Sequence, residues 1–142
     1  MTSAELQNLA RSGALKRETP SAKELHELRR LADIRLKDAE RPELDFENRF
    51  DLTYGAAHAL AVFALRRMGY RSENRYLVFQ ALIHTAGIAA ASWRVFDKAH
   101  QRRNAVEYRG LLQPDERLLA ELLESTRTLR KLVDKLPKEP AA

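Results

Sequence analysis

The stretch Tyr54-Gly55-Ala56-Ala57-His58-Ala59-Leu60-Ala61-Val62-Phe63-Ala64-Leu65 decides the fold. It has no period of two, and wound at 3.6 residues per turn it leaves almost no polar side, so it reads as a helix buried all round. Its most apolar part, Ala56 to Leu65, contains His58 and is far shorter than the ~20 residues a membrane span needs. A buried position in the core, with no membrane, is therefore expected. Asp45 upstream suits an N-cap and Gly69 downstream a C-terminal stop, which predicts the limits of this central helix.

Such a helix needs cover on every side, and the flanking sequence supplies it as further helices. Ser21 with Glu24 three residues on forms a capping box for a helix whose apolar positions are Leu25, Leu28, Ala32, Leu36 and Ala39; Pro42 ends it. Ser72 with Arg75 opens another through Phe79, Leu82 and Ile83 to Gly87, and the next runs from about Ala89 to Tyr108 before Gly110. Pro114 is expected one residue inside the last helix. There Leu119, Leu122, Thr126, Leu129, Val133 and Leu136 alternate steps of three and four, and Pro137 closes the element. A short helix over 3–12 ends at Gly13, and a disordered tail is expected over 137–142. No segment alternates with period two. The fold class is all-α, an antiparallel bundle of about five or six helices, in one domain over 1–142 with its core at about 21–136.

Composition agrees and excludes several chemistries. With 142 residues, 44% hydrophobic and 32% charged, the chain suits a single globular domain. Five Gly and five Pro favour a few long elements over many short strands. The absence of Cys rules out disulfides, thiolate zinc sites and cysteine nucleophiles, and suits a reducing compartment. Met1-Thr2-Ser3-Ala4-Glu5 lacks the basic start and apolar run of a signal peptide, so a cytoplasmic location is expected. No Gly-rich phosphate loop or nucleophile elbow is present, and no cofactor is expected.

The net charge of +5 is unevenly spread. Arg66, Arg67, Arg71 and Arg75 bracket one turn, and Arg102, Arg103 and Arg109 mark another. Arg66, Arg67, Arg71, Arg75, Arg102 and Arg109 are therefore candidate phosphate contacts for a nucleic acid; solvated helix ends are the alternative. On the fifth helix His100, Arg103, Asn104, Glu107 and Tyr108 fall at i, i+3, i+4, i+7 and i+8 and share one face, which continues through Phe96 and Trp93. A face apolar in one half and polar in the other suits a cleft or a subunit interface, with Trp93 and Phe96 at or near a homodimer contact. An ordinary helix leaving the core, with an Arg103–Glu107 pair, is the plainer alternative. Asp97 and His100 have the spacing of a metal pair, but no second such pair follows, so no metal site is expected. His58 and His84 read as core histidines and His26 as exposed.

In the order of its elements and in local sequence, the region from about Ser21 to Leu132 resembles the HEPN superfamily. The likeness rests on the buried helix ending in Arg-Arg-Met-Gly-Tyr-Arg, on Phe79-Gln80-Ala81-Leu82-Ile83-His84, and on His100-Gln101-Arg102-Arg103-Asn104-Ala105-Val106-Glu107-Tyr108. That family carries an Arg, a polar residue, three to five more residues, then usually His; two copies meet across a dimer to form a metal-independent ribonuclease site using the ribose 2′-OH. The resemblance implies that Arg103 binds phosphate and that Asn104 positions it or donates a hydrogen bond, while Tyr108 stands in the slot usually held by His. His100 or Glu107 is then a substitute base. It further implies a homodimer, RNA as ligand, and an antitoxin or nucleotidyltransferase as partner. The activity expected is that of an RNA-acting protein, a metal-independent endoribonuclease or toxin component of a toxin–antitoxin pair. The alternatives are a catalytically silent dimeric module binding RNA, nucleotide or a partner protein, and a structural interaction bundle.

Tyr ionises near pH 10 and is a poor base at neutrality, so weak or absent RNA cleavage is expected, with Tyr108→His raising it if the hydroxyl is the proton donor. A cleavage assay on Tyr108→Phe separates proton donation, which the change would abolish, from ring packing, which it would preserve.

Overall fold

The computed structural model describes residues 4–110 and 113–136, with Tyr108 described by its backbone only; residue 3, where the first helix was expected to begin, and the tail at 137–142 lie outside them. Seven helical segments follow in order: α1 (Ala4–Arg11), α2 (Ala22–Ala39), α3 (Phe46–Arg67), α4 (Arg75–Gln80), α5 (Leu82–Thr85), α6 (Ala90–Arg109) and α7 (Glu116–Lys135). The fold is an all-α helical bundle. None of the helices is long and apolar enough to cross a membrane among the described residues.

The central helix is the expected one. Ala56, Ala57, Leu60, Ala61 and Ala64 have no exposed surface and Leu65 only 1%. Helix α2 lies along one side of α3, where Glu24, Arg35 and Ala39 meet Arg66, Gly55 and Arg49, so the partners run in opposite chain order. Fully buried Ala32 and Ala39 on α2 present only methyl groups to the core, which lets the helix axes approach closely. Helix α7 buries Leu119, Leu122, Thr126, Leu129 and Val133, the seam anticipated above, against α3 and α6. Across its outer edge, ion pairs Arg29–Asp134, Asp33–Arg130 and Glu40–Arg127 hold it antiparallel to α2. Phe96 of α6 is wholly buried and stacks on Phe79 at 5.6 Å, so it belongs to the core and not to a subunit contact.

Four local expectations are corrected. Ser21 does cap α2 by accepting from the Glu24 amide, but the Glu24 carboxylate is drawn to Arg66. The single helix expected across 72–87 is divided at Ala81 and capped by Asn74, whose side chain accepts from the Leu77 amide. Pro114 lies outside α7, since Asp115 is the cap and accepts from Leu118. A two-residue antiparallel pair, β1 (Lys16–Arg17) with β2 (Tyr70–Arg71), joins the segment before α2 to the end of α3. Gly69, at φ +86°, makes the turn from α3 into β2 that a side chain would resist.

Arg66 secures this end of the bundle. It is 4% exposed, pairs with Glu24 and Glu18, and donates to the Glu18 and Tyr70 carbonyls. Its assignment as a phosphate contact is therefore wrong: the guanidinium is already saturated inside the fold. Arg66→Ala should lower stability by roughly 2 kcal/mol, because it removes the side chain's charge-assisted hydrogen bonds and leaves the buried Tyr70 carbonyl without that donor. Arg71→Ala, at a half-exposed pair, should cost about 0.5 kcal/mol or less. Denaturant unfolding of the two variants measures the difference.

Candidate functional site

Helices α2, α3, α4 and α6 leave a cleft of about 580 Å³ between them, and its charged groups come from all four. Arg35, Arg75 and Arg103 line it together with Asp51, Asn48, Tyr54 and His58. Arg35 reaches the cleft from α2 across the face of α3, donating to the Gly55 carbonyl at 3.2 Å. Gly55 makes that passage: a Cβ there would sit 3.2 Å from the Arg35 side chain, closer than comfortable contact. The glycine in the middle of the most buried helix thus has a steric purpose, at a cost of about 1 kcal/mol in helix propensity.

Tyr54 organises the cleft wall. Its ring is 2% exposed, and the guanidinium carbons of Arg103 and Arg75 lie 5.2 and 5.8 Å from its centroid. These are cation–π contacts on a ring held by the core. Its hydroxyl meets His100 Nδ1 at 3.0 Å, while His100 Nε2 faces Asn104 Nδ2 at 3.2 Å. An amide nitrogen can only donate, so with the amide in this orientation Nε2 accepts and Nδ1 carries the proton given to the tyrosine oxygen. The hydroxyl proton of Tyr54 is then free to donate elsewhere.

The electrostatics favour an anion. Three guanidiniums face one carboxylate, Asp51, which lies 3.8 Å from Arg103 and whose pKa is raised above the usual range, chiefly by burial. Burial first, and then Arg75, Arg35 and Arg103, hold the His58 ring down to about 4. Burial and Arg75 likewise lower His100. Both imidazoles are neutral at pH 7. Burial raises Tyr54, which stays protonated. A phosphate entering this cleft would meet a net excess of positive charge.

Of the residues singled out in the sequence, His100, Arg103 and Asn104 are brought together as expected. Glu107 is exposed beside a smaller hollow with Asp51 and Arg103, and Arg103 pairs with Asp51 rather than with Glu107. The role expected of the Tyr108 side chain lies outside the described residues. Of the six arginines expected as phosphate contacts, only Arg75 joins the cleft. Arg102 is 8% exposed, bonded to Glu47 and the Gln113 carbonyl and set over the Phe46 and Phe50 rings, so it holds α6 to the start of α3 and is not a phosphate contact. Arg67 is 5% exposed and is likewise removed from that role by burial. Arg71 pairs with Glu18 at the surface, and Arg109 is exposed at the end of α6.

The histidine expectations also change. His58 is half-buried and faces the cleft, with its ring 5.8 Å from Phe79, and is not sealed in the core. His84 is exposed, 3.9 Å from Glu5. His26 is exposed, as expected. Arg35, Tyr54 and Asp51 were not anticipated; Gly55 inside an otherwise Ala-rich helix was the one local sign of a close approach. Comparison of the chain with protein-family models, with curated proteins and with solved structures finds no match.

The depressed His58 value has a consequence for stability. Between its ordinary pKa of about 6.5 and its folded value of about 4, the unfolded chain binds a proton that the folded chain refuses. Stability should therefore fall as pH drops through that window, by about 2 kcal/mol once solvent screening is allowed for. His58→Gln, which cannot take up the proton, should flatten this part of the profile in denaturant titrations at pH 4.5 and 7.

Proposed function

We propose that the chain is an RNA-acting protein of HEPN type that holds a backbone phosphate in the α2–α3–α4–α6 cleft. Arg35, Arg75 and Arg103 supply the charge, and the Tyr54 hydroxyl supplies a neutral donor. The observation that carries this reading is the convergence of three guanidiniums, from three different helices, on a cleft holding a single carboxylate. Like charges so gathered repel one another, and an anion relieves that repulsion on binding. The same resemblance brings with it a homodimer and a controlling partner of antitoxin or nucleotidyltransferase type.

Within this reading, binding is favoured over efficient cleavage. Attack by a ribose 2′-OH needs a base matched to neutral pH, and a histidine held near 4 is a weak one. His100 has its accepting nitrogen engaged by Asn104, and a tyrosine raised by burial gives up its proton reluctantly. The charges are in place to hold a phosphodiester, whereas the proton-transfer groups are poorly tuned to break it.

Arg103→Ala and Arg75→Ala should each weaken binding of a labelled single-stranded RNA about tenfold, as expected for a lost charge-assisted contact. Arg71→Ala should change it less than twofold, and affinity of the natural protein should fall as salt rises. Fluorescence anisotropy measures all three. Salt-insensitive binding, or binding indifferent to Arg103→Ala, would refute the assignment; rapid metal-free cleavage lost in Arg103→Ala would establish a nuclease instead.

A further inference from the structure

Beside the arginine cleft, three half-buried rings form a continuous ledge. Tyr76 of α4 stands edge-on to Trp93 of α6, with ring centroids 5.7 Å apart and planes at 62°. On its other side Tyr76 lies 5.0 Å from the His100 ring, which is the imidazole bonded to Tyr54 at the cleft wall. Tyr76, Trp93 and His100 are all partly exposed, whereas neighbouring Phe79 and Phe96 are sealed in the core. The sequence therefore places aromatic rings at the surface along the same line as the phosphate-binding groups. Arg75, which lines the cleft, immediately precedes Tyr76 in the chain.

The far end of the ledge opens into a hollow of about 310 Å³, where Trp93 is joined by Leu77, Ile83, Gln80 and His84. Ile83 is 46% exposed, one of two large hydrophobics left so open among the described residues. The hollow thus offers an apolar floor with amide and imidazole groups at hand. Flat π-faces next to fixed positive charge are what single-stranded nucleic acid requires, since its bases stack while its backbone is held electrostatically. A duplex keeps its base faces covered and cannot use such a surface.

We infer that Tyr76 and Trp93 form a base-stacking platform, so that the ligand of the cleft is single-stranded RNA with at least one unpaired base on this ledge. This inference rests on the phosphate-binding role of the cleft proposed above. It adds that bases, and not only backbone charge, contribute to affinity.

Trp93 is the one tryptophan of the chain, which makes the ledge its own reporter. Intrinsic fluorescence should be quenched by a short single-stranded RNA, and much less by the same strand in a duplex or by inorganic polyphosphate, which has charge but no bases. In anisotropy measurements Tyr76→Ala and Trp93→Ala should each weaken single-stranded RNA about tenfold, and Trp93→Phe, which keeps a ring, should recover most of it. Polyphosphate affinity should be unchanged by all three while still falling in Arg103→Ala. If RNA and polyphosphate bind equally well and the ring variants are silent, the platform is refuted while the phosphate cleft stands. If neither anion responds to Arg103→Ala, the cleft assignment itself has failed. A dimer in sedimentation that Trp93→Ala dissociates, with RNA affinity unaltered, would give the ledge to a second copy of the chain and overturn the inference.

Discussion

A helix with no polar side has to be covered completely, and the covering of α3 sets the position of everything else in this protein. Helices α2 and α7 and the α4–α6 layer all pack on it. Gly55 and His58 are among the positions along its middle that are not fully enclosed, and the cleft opens there. Tyr54 explains why that opening can be polar. Its ring is part of the core, so it gives up no apolar burial, yet its edge and face serve His100, Arg75 and Arg103. One side chain thereby joins the packing problem to the electrostatic one.

Gathering arginines around a partly enclosed cleft works against stability, and the fold offsets this in specific ways. Arg35 is partly satisfied by the Gly55 carbonyl, Arg103 by Asp51, and both Arg75 and Arg103 by the Tyr54 π-face. None of these is a close bidentate carboxylate pair of the kind that occupies Arg66 or Arg102. The contrast divides the basic residues into two groups. Some guanidiniums are spent on holding the bundle together, and others are left underused where a ligand can reach them.

The sequence made the long elements readable because their spacing is unambiguous over many turns. The apolar run of α3 and the three-and-four seam of α7 are each enough to place a buried helix. Its strand pair was invisible, since two residues cannot show a period. Within the site, His100, Arg103 and Asn104 were legible because one helix carries them at neighbouring positions. Arg35, Tyr54 and His58 were not, because only packing sets residues of α2 and α3 beside α6; Arg75 was picked out as a basic residue, but its place next to Arg103 was not. The misassigned arginines show a related limit. Glu24 and Glu47, which occupy Arg66 and Arg102, lie 42 and 55 residues away, and charge in a sequence does not reveal whether it has been neutralised.

The β1–β2 pair has an implication for the order in which parts of the protein come apart. It joins Lys16 to Arg71 and Arg17 to Tyr70, so closing it means bringing together segments separated by the whole α2–α3 hairpin. Such non-local closure is slow to form and reports on the assembled hairpin, not the reverse. With only two residues on each side, the pair acts as a clasp holding the α1 end of the chain against the close of α3. Leu6 of α1 and Leu15 beside β1 are buried in the core, so opening the pair alone would leave α1 seated. The amino-terminal segment is thereby tied to the bundle twice, by its buried leucines and by the strand pair.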